Sequence, residues 1–188
     1  MIVICDENGG IAAADGSIPF SNKQDLKFFK RQTLNNVVVM GFRTFESLGK
    51  KPLPNRINVV LTRHQQSFDC HMCNVVFINS FESCIRFLNA RYPNKKWFLI
   101  GGAEIYNQAL DKKLIHTIYM TTAIAETNDA APVPIRINTN ATQLQSDSDW
   151  ECCSLNRDDK EFIILMNQHH TDEKPYTYTF NIFTKRNK

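Results

Sequence analysis

The run Val37-Val-Val-Met-Gly-Phe-Arg-Thr-Phe-Glu-Ser-Leu48 decides the fold class. Its first four residues are continuously apolar, as in a strand covered on both faces. Gly41, Phe42, Arg43 and Thr44 follow, then a short helix over Phe45 to Leu48. Such a strand belongs to a sheet with helices on either side, so the run predicts an α/β layer. It also outlines an anion cradle. A helix start offers unpaired N–H groups, Thr44 a hydroxyl and Arg43 a charge. Many purely structural helices begin the same way, so the neighbouring segments have to add weight.

Upstream stands Ile18-Pro-Phe-Ser-Asn-Lys-Gln-Asp-Leu-Lys-Phe-Phe-Lys-Arg-Gln-Thr33. Asn22 is a helix N-cap, and the helix runs through Asp25 to about Leu34. Asp25, Phe29 and Thr33 are spaced i, i+4, i+8 and share one face. A carboxylate beside an aromatic ring can grip a flat, nitrogen-rich ring, one at its edge and the other over its surface. The plainer reading is an acidic first turn that the helix dipole favours. Before this helix, Met1 to Cys5 reads as a buried strand. Asp6 to Ser17 reads as a loop without periodicity and a candidate lid.

Downstream, Lys50 to Arg56 is a basic loop stiffened by Pro52 and Pro54, and Arg56 has the fork that suits a carboxylate. Ile57 to Thr62 is another apolar strand with Arg63 and His64 at its carboxyl end, where open α/β sheets bind ligands. A solvated loop would look the same. Val75 to Ile78 is a strand, and Ser80 caps a helix over Phe81 to Arg91. Trp97 to Ile100 is a strand leading into Gly101-Gly102-Ala103-Glu104-Ile105-Tyr106, which opens a helix to about Asp111. Paired glycines let a ligand approach the backbone, and the helix start favours phosphate. The spacing is not GxGxxG, so no Rossmann domain is implied, and a plain tight turn stays open. Ile115 to Ala123 is a strand carrying Thr121. Residues 126–149 are polar and lack a clear element. Phe162 to Asn167 and Tyr176 to Phe183 read as a closing antiparallel pair. The sum is a single-domain α/β fold: an eight-stranded, mostly parallel sheet with an antiparallel C-terminal strand and about four flanking helices.

Composition narrows the function. A net charge of +3 is too mild for a nucleic-acid binder. No apolar run approaches the ~18 residues of a membrane span. The N-terminus enters a strand pattern with no basic region or cleavage site, which predicts no secretory leader and a cytoplasmic location. Six scattered cysteines predict free thiols in a reducing compartment. Cys70 and Cys73 have zinc-like CxxC spacing, but no second CxxC completes a site, so no metal is expected.

Taken in order, these pieces resemble dihydrofolate reductase over nearly the whole chain. They are Ile18-Pro19-Phe20 with Asp25, Leu26 and Phe29, then Val38-Val39-Met40-Gly41 with Thr44-Phe45-Glu46-Ser47. Pro52-Leu53-Pro54-Asn55-Arg56 and Asn58-Val59-Val60-Leu61-Thr62-Arg63 follow. Ile100-Gly101-Gly102-Ala103-Glu104-Ile105-Tyr106 and Thr121 complete the series. The resemblance implies one domain over residues 1–188, a monomer that reduces 7,8-dihydrofolate with NADPH. It makes Asp25 the carboxylate that anchors the pterin, with Thr121 orienting it and desolvation raising its pKa. It implies no protein nucleophile. N5 takes a proton from water, and hydride passes from the nicotinamide to C6. Phe20 stands with this catalytic pair, where the family usually has Trp.

On the substrate side the resemblance implies apolar walls from Leu26, Phe29, Leu48 and Leu53, and a backbone carbonyl from Ile100. Arg56 is the clamp on the tail's α-carboxylate, and Cys5 forms the pocket floor where a small Ala is usual. On the cofactor side it implies phosphate contacts from Arg43 and Thr44. Thr62 and Arg63 suit the adenosine 2′-phosphate. Amides of Gly102, Ala103, Glu104 and Ile105 face the pyrophosphate, and the Gly101–Gly102 bond is cis. Ile18, Gly41, Leu61 and Tyr106 join this set, as does Ala13, where a lid Gly is usual. Phe42 replaces a usual basic residue, and Phe20 lacks the indole N–H that often holds a water.

Two other functions fit parts of this pattern. One is a weakly active or inactive folate-binding module that acts through a protein partner at residues 126–149. Retention of Asp25, Arg56 and Thr121 speaks against it, since a buried carboxylate is costly. The other is a reductase of another pterin or pyrimidine on the same fold.

Overall fold

The structure is a computed structural model that describes residues 1–20, 22–63, 74–125, 133–153 and 176–186. Ten strands and five helices are described. The first sheet has the order β5-β4-β3-β6, all parallel: β5 (Val75–Ile78), β4 (Ile57–Leu61), β3 (Val37–Gly41) and β6 (Trp97–Leu99). Residues 37–40 of β3 are all buried, as a strand covered on both faces requires. Val38 and Met40 pack with Val60 and Phe98 against Phe28 of α1 (Lys23–Thr33) and Phe45 of α2 (Phe42–Ser47). Val37 and Val39 pack the other way with Val59. They meet Phe81, Cys84 and Leu88 of α3 (Phe81–Arg91) and Ile105 and Ala109 of α4 (Ala103–Asp111). The period of two along the strand thus sorts its side chains into two helix-covered cores.

The second sheet has the order β1-β7-β10-β9: β1 (Ile2–Asp6), β7 (Thr117–Ala125), β10 (Tyr176–Lys185) and β9 (Trp150–Cys153). β7 pairs with β1 in parallel and with β10 antiparallel, so Thr121 lies between Ile4 and Phe180. The mostly parallel α/β class is as expected, with antiparallel strands at the C-terminal end. The single eight-stranded sheet is not: the described ladders form two four-stranded sheets and a two-stranded ribbon. At the outer edge of β1, the carbonyl of Ile2 accepts from the Tyr106 hydroxyl at 2.8 Å, a side chain in place of a strand amide. Ile2 and Val3 nevertheless belong to the same two cores as β3. The break is in the ladder and not in the packing.

The ribbon pairs β2 (Gly10–Ala12) with β8 (Ile135–Arg136). Asp6 sets it up, its Oδ1 accepting from the amides of Asn8 at 2.8 Å and Gly10 at 2.7 Å as the chain turns back. The sequence predicts a loop without periodicity over Asp6 to Ser17 and no clear element over 126–149, yet β2 lies in the first stretch. Likewise β8 and α5 (Ala141–Ser146) lie in the second stretch, α5 capped by Asn140 and buried through Leu144. Strands of two or three residues are too short to show a period. Five helices are described where about four are expected, the addition being the six-residue α5 in the stretch without a clear pattern. The expected strand at Phe162 to Asn167 lies outside the described residues, and the described partners of β10 are β7 and β9.

Candidate active site

Helix α1 begins where its cap predicts. The Asn22 side chain accepts from the amides of Gln24 at 2.8 Å and Asp25 at 3.1 Å. Its first turn therefore holds Asp25 in place, and the helix dipole favours a carboxylate there. Across the sheet, the Thr121 hydroxyl donates to Asp25 Oδ1 at 2.6 Å. Burial pushes the Asp25 carboxyl above its ordinary value, and the Thr121 hydrogen bond pulls it back part of the way. The nearby Tyr106 phenol is pushed up, by burial first and then by Cys5 and Asp25.

The helix face continues from Asp25 to Phe29 and Thr33. Phe29, Leu53 and Ile100 are half-buried against one core, beside Phe28. Leu26, at 63% exposure, and Leu48, at 36%, present apolar surface outward. Thr33 is fully buried and serves a different partner than its spacing alone implied. Its hydroxyl donates to Phe29 O at 2.8 Å and accepts from Arg56 Nη1 at 3.3 Å. Arg56 Nε donates to Pro54 O at 3.0 Å. The guanidinium is thus pinned on two of its five donors. Among the described residues its Nη2 side is left for an anion. One helix face therefore links a half-buried carboxylate at one end to a buried cation at the other.

A second constellation forms where α2 and α4 begin. The amide of Gly41, the α2 cap, donates to Gly101 O at 2.8 Å, and Gly101–Gly102 is a cis peptide. A Cβ on Gly41 would lie 3.3 Å from Ile105 Cγ1, and one on Gly102 3.5 Å from Thr44 Oγ1. Gly101 has φ +122°, which side chains other than Gly rarely adopt. Neither helix cap spends a side chain on the first-turn amides. The expectation for Ile105 needs correcting: its amide donates to Gly102 O at 3.0 Å, as does that of Tyr106 at 3.1 Å. The helix's own first turn claims them, which leaves Ala103 and Glu104 as the orphan donors. Tyr106 and Ile105 are buried supports beneath the turn, and Leu61 is buried at the end of β4. Arg43 and Arg63 are exposed, and Thr62 is half-buried with its amide on Ile78 O.

The remaining candidates sit on the loop side. Ala13 is half-buried and closes the loop on itself, its amide donating to Ser17 O at 2.9 Å. Ile18 is 62% exposed. Phe20 is buried in a small cluster with Ala123 and Val133, its ring edge-on to Tyr176 at 5.5 Å. Cys5 is 0% exposed inside the α3/α4 core, so its side chain offers no surface to a ligand as it stands. Its thiol is pushed up to about 12 by burial and by the Asp6 charge, with Thr122 acting the other way. Cys70 and Cys73 lie outside the described residues.

Sequence reasoning missed Asn58. It is fully buried on β4, with its side chain bonded to the loop that carries Leu53 and Arg56. The signal was present: a lone amide inside Ile57-Asn-Val-Val-Leu61 is a buried polar group, and such groups have partners.

A family model for dihydrofolate reductase matches residues 1–152. A dihydrofolate reductase of Haemophilus influenzae is 30% identical over 164 residues, which is 87% of this chain and 96% of that one. A bifunctional dihydrofolate reductase-thymidylate synthase of Paramecium tetraurelia is 34% identical over 127 residues, 68% of this chain. The chain spans 26% of that relative's length, about a quarter, as it does for the similar plant proteins. A solved dihydrofolate reductase of Enterococcus faecalis, complexed with NADP(H) and RAB-propyl, superposes with TM-score 0.70. The superposition covers 99% of this chain and 95% of that one at 22% identity, and shows the shared fold. By its family model and its full-length relative, the chain belongs to the dihydrofolate reductase family.

Proposed function

We propose that this chain reduces 7,8-dihydrofolate to 5,6,7,8-tetrahydrofolate with NADPH. The observation that carries the reading is Asp25, a carboxylate on a largely apolar face with a Thr121 hydroxyl at 2.6 Å. It accepts hydrogen bonds from the pterin's 2-amino group and N3. Leu26, Phe29, Leu48 and Leu53 enclose the pterin and aminobenzoate, and Arg56 takes the tail's α-carboxylate. The 3.3 Å contact to Thr33 and the 3.0 Å contact to Pro54 O support that last role, because a pinned fork loses less freedom on binding.

The Gly41, Gly101 and Gly102 cradle fits a pyrophosphate. A side chain at Gly41 or Gly102 would fill the approach, and the amides of Ala103 and Glu104 point from a helix start. Thr44 and Arg43 border it, and Thr62 and Arg63 suit a further phosphate. When bound there, NADPH supplies the hydride. The chain's own part is orientation and charge placement. Asp25 favours the ring's protonated form, N5 takes its proton from water, and Phe20 and the 13–18 loop limit water entry.

The same reading takes the protein as a monomeric, cytoplasmic single domain. No helix among the described residues is long and apolar enough to cross a membrane. The partner-binding alternative loses its motive over 133–149, where Val133, Ile137 and Leu144 turn inward. The test is isotopic. NADPH deuterated at the transferable position of its nicotinamide C4 should yield tetrahydrofolate with deuterium at C6. Product without label there would overturn the reading.

A further inference from the structure

We infer that Asn58 is a positioning residue for the substrate's carboxylate tail, acting through Leu53 and Arg56. The inference rests on the reductase reading. Asn58 is 0% exposed, at the second position of β4 among Val59, Val60 and Leu61. A side chain there for packing alone would be apolar. Instead, its Oδ1 accepts from the Leu53 amide at 3.0 Å, and its Nδ2 donates to Leu53 O at 3.0 Å. That pair of bonds copies the exchange between two residues of a strand ladder. The side chain stands in for a strand that the loop lacks. Nδ2 also lies 3.1 Å from Arg56 O and 3.3 Å from Asn74 O.

The amide therefore holds both ends of the segment that carries the apolar wall and the cation. Leu53 is tied at its N–H and C=O, and Arg56 at its C=O. Between them, Asn55 turns the chain at φ +56° and its carbonyl accepts from the Asn35 amide at 2.9 Å. With the backbone of Arg56 held, its guanidinium reaches Thr33 on α1. Few residues can replace Asn58. Asp has no N–H to donate, and Leu, of similar shape, has neither group. The three carbonyls would be left without that donor inside the protein.

The test compares 7,8-dihydrofolate with a tail-less 6-methyl-7,8-dihydropterin as substrates of wild type, Asn58→Ala and Asn58→Ser. We expect the KM for dihydrofolate to rise about tenfold in Asn58→Ala and less in Asn58→Ser, as for lost hydrogen bonds. The KM for the tail-less pterin, the KM for NADPH and kcat should stay within about twofold. In an Arg56→Gln background, Asn58→Ala should add less than it does alone, the remainder passing through Leu53. An equal rise on both substrates would mark a general packing role and overturn the inference. So would a full effect in the Arg56→Gln background. One measurement needs no variant. In native protein the Leu53 amide should exchange its hydrogen slowly, and exchange at open-loop rates would overturn the inference however the variants fold. Wild type that oxidises NADPH with neither substrate would instead sink the reductase reading, and the inference with it.

Discussion

The Thr121 hydroxyl donates to Asp25 Oδ1 at 2.6 Å, joining residues 96 apart in sequence. Two opposed effects act on that carboxyl. Burial raises its pKa above the ordinary 3.8, and the Thr121 hydrogen bond lowers it. Burial is the larger. Between 3.8 and the raised value, the folded protein keeps a proton that the unfolded chain has lost, so stability falls as pH rises through that window. At neutral pH the carboxylate costs folding energy. Asp25→Asn removes the charge and keeps an acceptor for Thr121, so its Tm at neutral pH should exceed that of wild type, by about 2–4 °C per kcal/mol gained. The gap should narrow in acid. Thermal melts at both pH values check this, and a variant melting below wild type at neutral pH would contradict it.

Thr121→Val removes the contact that, among the described residues, pulls the Asp25 carboxyl down. Its pKa should rise further, moving the corresponding limb of the pH–rate profile to higher pH. We expect kcat/KM at neutral pH to fall roughly tenfold, as for a lost hydrogen bond to a charged group. Thr121→Ser, which restores the hydroxyl, should keep the wild-type profile. An unmoved limb in Thr121→Val would show that the 2.6 Å contact does not tune Asp25.

Gly41→Ala tests the cradle by space alone, since Gly41 has an ordinary φ of −75°. Its new Cβ would lie 3.3 Å from Ile105 Cγ1 and 3.8 Å from the Gly102 amide, so the α4 turn must shift slightly. NADPH affinity, read by fluorescence titration, should weaken roughly five-fold, about 1 kcal/mol. Dihydrofolate affinity should hold. Equal loss for both ligands would contradict a cofactor site there.

Burial pushes the thiols of Cys5 and Cys84 up to about 12, whereas Cys152 is exposed. Thiolate is the reactive form. A thiol reagent at mildly alkaline pH should label Cys152 in native protein, and Cys5 and Cys84 only after unfolding, as peptide mass spectrometry would show. Stability should also fall as pH rises from 9.0 toward 12, where the unfolded chain releases those protons first.

The local features were legible in the sequence. Asn22 as a cap, residues 37–40 as a buried strand, and Asp25 with Phe29 on one helix face all rest on spacing within a few residues. Longer links were not. Spacing put Thr33 on the Asp25 face, but could not tell that Arg56 would fold back to claim it. The ribbon of β2 and β8 forms because Asp6 turns the chain and residues 135–136 arrive beside it, an event with no periodic signature. Asn58 left a trace in its polar character but none of its partners. The amide of Ile105 looked available until the helix start at Ala103 committed it to Gly102 O.

The central claim is that Asp25 anchors dihydrofolate for reduction by NADPH. Its most direct test follows the reduced-nicotinamide absorbance of NADPH, with and without 7,8-dihydrofolate, for wild type beside Asp25→Asn. The account predicts loss of absorbance by wild type only when both ligands are present. It predicts a rate lower by about 10²-fold or more for Asp25→Asn at neutral pH, recovering in acid where the ring takes its proton unaided. Wild type that binds both ligands and leaves NADPH unoxidised would contradict it, as would Asp25→Asn turning over at the wild-type rate.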